Sequence, residues 1–354
     1  MKKTLKSMVT LSLLVSMLGG LLGGCASDSK TTATTAATTA AAVTSEAQTE
    51  AAAENESDVK WPEKAVKFVI PWAAGGATDI IGRAVANAAE KKLNQPVVVE
   101  NREGGSATIG TAEAAMADGD GYTVLVAAIA PTILQPHYID VNYSVESFKG
   151  IGQISEKDML IVVKGDSPYN TMEDLIAACK EKPDSLLFSV SKGNAAHLAF
   201  LSVMEQKDFT AKHYPSKGDN ETVTNVLGGI VDFGFLTSVS VAKAQIEAGE
   251  MKALALFSEE RSAQLPDVPT LKEQGIDVSA TAWTGLLVPA STPDDLVKVM
   301  QDAFEEIITS HETEELLTKA GENLNFMPGD EFMEKIQKEY EEYGVIIQKF
   351  GLGK

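Results

Sequence analysis

Basic residues are scarce: 30 lysines and arginines stand against 50 aspartates and glutamates, giving a net charge of −20 over 354 residues. The chain therefore lacks the positive footprint that holds nucleic-acid phosphates, and nucleic acid is not an expected partner. Histidine is rare as well, with only His137, His197, His213 and His311. There is no H-E-x-x-H pair, no pair of cysteines at ligand spacing and no G-x-S-x-G elbow, so no metal, no cofactor and no enzyme activity are expected. Neither G-x-G-x-x-G after a strand nor G-x-x-x-x-G-K-[ST] occurs, which disfavours nucleotides. The single long apolar run, Met8 to Leu22, is broken by Thr10, Ser12, Ser16 and two glycines. It falls short of the roughly 20 residues that a spanning helix needs.

What is present begins at the N-terminus. Lys2, Lys3 and Lys6 precede that run, and small residues end it, which is the pattern of a secretory signal. Leu22-Gly23-Gly24-Cys25 resembles the lipobox of bacterial lipoproteins. The expectation is a signal peptide over 1–24 and a diacylated Cys25 as the first mature residue, held on the outer face of a membrane by about 0.8 kcal/mol per buried methylene. Residues 26–58 are mostly Thr, Ala, Ser and Glu and cannot bury enough apolar surface to offset chain entropy, so 25–60 reads as a lipidated cysteine on a flexible stalk. Acylation of Cys25 leaves Cys179 without a disulfide partner, and Leu175-Ile176-Ala177-Ala178-Cys179 reads as the apolar side of a helix with a packed thiol.

From Trp61 onward about 290 residues remain, enough for two moderate domains. Short β-rich runs alternate with helical stretches: Val66 to Pro71 then Asp79 to Leu93, Val97 to Glu100 then Ala107 to Ala117, and the same rhythm from Met159 to Phe257. Alternation of this kind predicts α/β layers with mostly parallel strands, too many for one compact sheet. Two amphipathic helices close the chain, one opening at Thr292-Pro293-Asp294-Asp295 and one over Asp330 to Phe350, and the pair is expected to return to the first lobe.

Five loop regions carry chemistry. In Pro71-Trp72-Ala73-Ala74-Gly75-Gly76-Ala77-Thr78-Asp79, glycines sit between a strand and a helix start, where unpaired amides favour an anion without a lysine or arginine. A plain strand-to-helix turn fits the same residues. Asp79 would repel a carboxylate at that helix end; it reads as structural, with the alternative of accepting a hydrogen bond from a ligand. Asn101 to Thr108 is a second candidate nest. Further on, Ser191 to His197, Tyr214 to Asn220 and Leu236 to Ser240 bring hydroxyls and amides to the carboxyl ends of strands, where ligands settle in open α/β sheets; helix capping explains the same hydroxyls. His197, among Ala195, Leu198 and Leu201, reads more as a packing residue than as a base.

These residues resemble the extracytoplasmic solute-binding proteins of tripartite tricarboxylate transporters, the TctC or Bug family. The matching stretches are Pro71 to Arg83, Asn101 to Gly110, Asp120-Gly121-Tyr122-Thr123, Ser191 to His197, Tyr214 to Gly218, Leu227 to Asp232, Arg261-Ser262, Leu265 to Thr270 and Trp283 to Leu286. The resemblance implies an α/β, two-lobed periplasmic-binding-protein type II clamshell, a Venus flytrap with a helix-flanked sheet in each lobe. It also implies a function: capture of a small carboxylate, di- or tricarboxylate or related organic acid, and delivery to integral membrane transporter subunits, without chemistry. Gly75, Gly76, Ala77, Thr78, Ala128, Ile129 and Ala130 would hold the ligand from one lobe. Ser191, Asn194, Lys217, Gly218, Thr237 and Ser238 would face it from the other, with Asp79 and His197 kept as candidate contacts. Departures at Gly104 to Ala107, Asn194 to Ala196 and Tyr214-Pro215 leave the ligand open. The expected division is lobe one over 61–158 and 283–354 and lobe two over 159–282, in a monomer. A sensor reporting to a membrane kinase, or an anchored enzyme, would be the alternatives.

Overall fold

The computed structural model describes residues 59–354 apart from Gly321. The expected signal peptide, the lipidated Cys25 and the stalk up to residue 58 lie outside the described residues. The elements run β1 (Val66–Ile70), α1 (Ala77–Leu93), β2 (Val97–Asn101), α2 (Thr108–Ala115), β3 (Thr123–Ala128), α3 (Gln135–Tyr138), β4 (Phe148–Asp158), β5 (Leu160–Lys164), α4 (Met172–Glu181), β6 (Leu187–Val190) and α5 (Ala195–Lys207). They continue as β7 (Lys212–Pro215), α6 (Asp219–Leu227), β8 (Phe233–Leu236), α7 (Lys243–Glu247), β9 (Met251–Leu256), β10 (Thr281–Pro289), α8 (Asp294–Ile308), α9 (His311–Lys319), β11 (Leu324–Pro328) and α10 (Gly329–Lys349).

Two sheets form, one ordered β11-β4-β10-β3-β1-β2 and the other β7-β6-β8-β5-β9. The chain passes from the first to the second through Met159 alone, between β4 and β5, and returns between β9 and β10. The two passages are tied together: Phe257 N–H donates to Met159 O at 2.9 Å, and Ala280 N–H to Phe257 O at 2.9 Å. The predicted parallel arrangement holds for β1 with β2 and β3, and for β6 with β7 and β8. It fails for β4, β5, β9, β10 and β11, which pair antiparallel. β4, β5, β9 and β10 are the strands that leave one sheet or enter the other, joined there without a helical crossover, so nothing constrains them to the parallel direction; β11 pairs only with β4, at the edge of the first sheet.

Local signals explain most helices. α1 has Asp79 in its first turn, Lys91 and Lys92 in its last, and Asn94 in the left-handed conformation at its end, each matched to the helix dipole or the cap it supplies. Thr171 and Asp174 form a capping box at the head of α4. α8 buries Leu296, Val297, Met300, Phe304, Ile307 and Ile308 along one face, and α10 buries Phe332, Ile336, Tyr343 and Ile347. Phe332 meets Trp283 of β10 edge to face at 4.9 Å, a contact of about 0.5–1.5 kcal/mol beyond area burial. Under the second sheet Phe188, Phe200, Phe233, Phe235 and Phe257 pack as one aromatic cluster. Cys179 is fully buried there, and burial pushes its thiol up to about 11, which keeps it protonated and inert as the packed-thiol reading expects. Among the described residues no helix is long and apolar enough to cross a membrane.

Candidate ligand-binding site

Strand register puts the loops of each sheet on the edge from which the crossovers leave. β10 runs against β3 with Thr284 opposite Ala128, and β4 runs against β10 with Asp158 opposite Thr281. The passages to the second sheet therefore leave from the edge where β1 and β3 end. In the second sheet Leu160 lies opposite both Leu236 and Leu256, so β5 starts where β8 ends, and β6 ends on that side too. Both loop-bearing edges adjoin the crossovers, the position where open α/β sheets take ligands.

On the first sheet, Gly75, Gly76 and Ala77 are exposed and Thr78 is half-buried. Gly76 caps α1 in an extended conformation and has no side chain to satisfy the first-turn amides, so the N–H groups of Ala77, Thr78 and Asp79 have no partner within the helix. Gly75 adopts φ +84°, a conformation open to glycine at little cost, and a Cβ there would meet nothing within 4 Å. The approach to these amides is clear.

Asp79 faces the other way and is only 2% exposed. Its Oδ2 accepts the Gly75 amide at 2.8 Å, its Oδ1 accepts Asn101 Nδ2 at 2.8 Å, and Arg83 Nε donates to both oxygens at 2.9 Å. Asn101 Nδ2 also donates to Trp72 O at 2.9 Å. Burial alone would push the Asp79 carboxyl up, but the bonds from Arg83, Gly75 and Asn101 outweigh it and hold it below its ordinary value. The charge that looked repulsive in sequence is compensated from behind, and its work is to hold the loop in shape.

Ala128 ends β3, and the chain turns at once into a helical segment that opens with a π turn over Ala130–Leu134. Ala128 and Ala130 are half-buried, while the Ile129 side chain is packed in the core, leaving only its backbone for a ligand. Tyr143 Oη closes the turn by donating to Pro131 O at 2.6 Å.

On the second sheet, Ser191 is half-buried and its hydroxyl is not used as a cap. Asn194 Oδ1 caps α5 by accepting the His197 amide at 2.8 Å, leaving the amides of Ala195 and Ala196 outside any helical bond. His197 is 4% exposed and stacks on His213 at 4.5 Å, as a packing residue does. Lys217 is exposed, and its backbone amide donates to Glu221 Oε2 at 2.8 Å. Gly218 caps α6 in extended conformation with no side-chain bond. Thr237 is turned inward: its amide and its hydroxyl both donate to Asp219 Oδ2 at 2.8 Å. Burial raises the Asp219 carboxyl while the Thr237 bonds lower it, leaving it above its ordinary value. Ser238 Oγ accepts the Ser240 amide at 3.3 Å, so it serves first as a cap.

Asp219, Asn101 and Arg83 thus shape the loops; the sequence reading had them inside candidate stretches but did not see that their side chains brace the loops. Asp219 directly follows the Lys217-Gly218 pair, which is the one local hint. A cavity of about 570 Å³ lies beside the crossovers, lined by Glu156, Arg261, Thr281, Lys335 and Glu339 among others. Glu156 takes Lys335 as its ion-pair partner there. Glu339, which accepts Trp283 Nε1 at 2.7 Å, is pushed by burial up to about 7.

The tripartite tricarboxylate transporter family receptor, TctC, matches residues 81–352. A Cupriavidus necator protein of the gbd 5' region is 31% identical over 309 residues, covering 85% of this chain and 92% of that one. A TctC solute-binding protein from Polaromonas is 29% identical with a TM-score of 0.74, covering 82% of this chain and all of that one. Two structures from R. palustris, one with adipate and one, MatC, with bound malate, are each 23% identical, with TM-scores of 0.66 and 0.63. They cover 83% and 81% of this chain and 99% and 100% of their own, and at that identity they speak for the fold alone.

Proposed function

The chain belongs to the TctC family of solute-binding receptors, and from that premise we propose that it captures a small organic acid, a di- or tricarboxylate or a relative of one, between its two sheets. The family consists of binding proteins rather than enzymes, and its setting is extracytoplasmic. The observation that carries the ligand class is the loop from Gly75 to Thr78: the Ala77 and Thr78 amides stand unpaired at an uncapped helix start, with the Asp79 carboxylate turned inward and paired. Such amides favour an anion, and Arg83 is spent on Asp79 rather than on the ligand. Ala128 and Ala130 extend this anchor on the first sheet. Ser191, the first amides of α5 and the Lys217-Gly218 turn supply the opposing contacts. That two structural relatives hold adipate and malate agrees with the class without fixing the acid.

In this reading the loaded receptor delivers its ligand to integral membrane subunits of a tripartite transporter, and a lipid on Cys25 keeps it near them. A thermal-shift screen of the purified protein against mono-, di- and tricarboxylates, amino acids and sugars tests the ligand class. A carboxylate present at 100 times its dissociation constant adds about 2.7 kcal/mol of stability. A melt moved by a sugar or an amino acid, and by no carboxylate, would sink the proposal.

A further inference from the structure

The turn from Ser191 to Asn194 is gripped from both layers of the molecule, and both grips fall on one residue. Within its own layer, His197 turns Nδ1 back to accept the Gly193 amide at 3.0 Å. Burial, with the charges of His213 and Lys192, lowers the His197 pKa to about 3, so the ring is neutral and the Nδ1 lone pair is available. From the layer of the first sheet, Tyr138 Oη donates to the Gly193 carbonyl at 2.8 Å. Burial pushes the Tyr138 hydroxyl well above its usual range, so it stays a donor. Only glycine fits between these partners: Gly193 holds φ +75°, and a Cβ there would lie 2.9 Å from Tyr138 Oη.

Tyr138 is itself firmly mounted. Its neighbour His137 stacks on Tyr340 of α10 at 4.2 Å and bonds Tyr340 O through Nε2 at 3.0 Å. The C-terminal Lys354 amide donates to His137 O at 3.2 Å. The hydroxyl that reaches Gly193 is therefore carried on an element tied to the first sheet through the last helix. Both polar groups of Gly193 are engaged, the N–H by the second layer and the carbonyl by the first.

We propose that His197 and Tyr138 are positioning residues for ligand binding: they set the Ser191 to Asn194 turn through Gly193, and the Tyr138 bond makes its shape depend on how the first layer sits against it. The inference rests on the reading of that turn as part of a carboxylate site. Tyr138→Phe removes one hydroxyl and leaves the ring. In the ligand-free protein, hydrogen exchange across residues 191–198 should speed up about fivefold, as expected for one lost hydrogen bond, with β1 unchanged and the melting temperature nearly so. His197→Gln should speed it further. With adipate and malate as probes, calorimetry should show binding about fivefold weaker in Tyr138→Phe, a loss that a residue of merely structural role would not give at constant melting temperature. Unchanged exchange at 191–198 in Tyr138→Phe overturns the inference whatever binds. Faster exchange with unaltered affinity for a bound acid removes Tyr138 from the site. Faster exchange, with neither acid bound by the unaltered protein, supports the grip on Gly193, and the affinity arm is then read with the acid that the thermal-shift screen identifies.

Discussion

The loop from Gly75 to Thr78 and the turn from Ser191 to Asn194 occupy equivalent places, each after a strand and before a helix, yet they are built differently. The first leaves its helix uncapped and places its one carboxylate behind itself, where Arg83 neutralises it. The second is capped by its own Asn194 and held from both layers at Gly193. Backbone amides on a glycine loop recognise a carboxylate group and little else about the molecule that carries it. A turn whose shape depends on side chains from both layers can discriminate. In the proposed site the difference would amount to a division of labour, with a generic anchor on one side and selection on the other.

The largest expected effect breaks the anchor. Gly76 has φ −77°, and a Cβ there would meet only Ala73 O at 3.5 Å, so Gly76→Asp is tolerated by the backbone. An aspartate is also a favoured helix cap, and it would occupy the amides and repel an anion at once. Carboxylate binding should drop at least about 100-fold in calorimetry with the melting temperature unchanged or raised; retained affinity would remove the loop from the site. Next comes Asp79→Asn, which faces an amide donor towards Arg83 and the Gly75 N–H. Chemical denaturation should show a loss of about 1–3 kcal/mol, with affinity falling by about tenfold as the loop loosens. Equal affinity would mean the brace matters for folding only.

The smallest effect lies away from both loops and sharpens the contrast by acting on the scaffold alone. Glu339 has a folded pKa of about 7 against an ordinary 4.5. Because the folded state holds this proton more tightly, the contribution of Glu339 is favourable at and below pH 4.5. It falls as pH rises from 4.5 to 7 and is lost above 7. Glu339→Gln should therefore match the parent protein near pH 4.5 and exceed it by about 1–2 kcal/mol at pH 8, seen as a melting temperature a few degrees higher. An equal difference at both pH values would show that the carboxylate is not the cause.

Most of the frame was legible because its residues announce themselves. Val66 to Ile70, Val97 to Asn101 and Leu160 to Lys164 are dense in branched apolar residues, and the apolar stripe of α10 keeps helical spacing. β4 was not legible, since Phe148 to Asp158 contains two glycines, two lysines and two acids. Those glycines are a packing device: a Cβ at Gly150 would lie 2.1 Å from Gly329 O, a partner far away in the chain. The same reason hid part of the site. A glycine loop before a helix is a local pattern, but the Asp219 bond to Thr237 and the Tyr138 bond to Gly193 join residues 18 and 55 positions apart. Polar pairs of that span leave no periodicity to read.

The crossovers have a mechanical meaning. Two passages stitched by the Phe257 to Met159 bond resemble two pins of one door, so opening and closing would concentrate in a few backbone dihedrals around a single axis. Such a joint resists shear and twist while yielding to swing. Every contact beside the pins then keeps nearly constant company, whereas loops farther out sweep an arc. A ligand bound as proposed, near the axis, would be gripped early in the swing and its far end judged last.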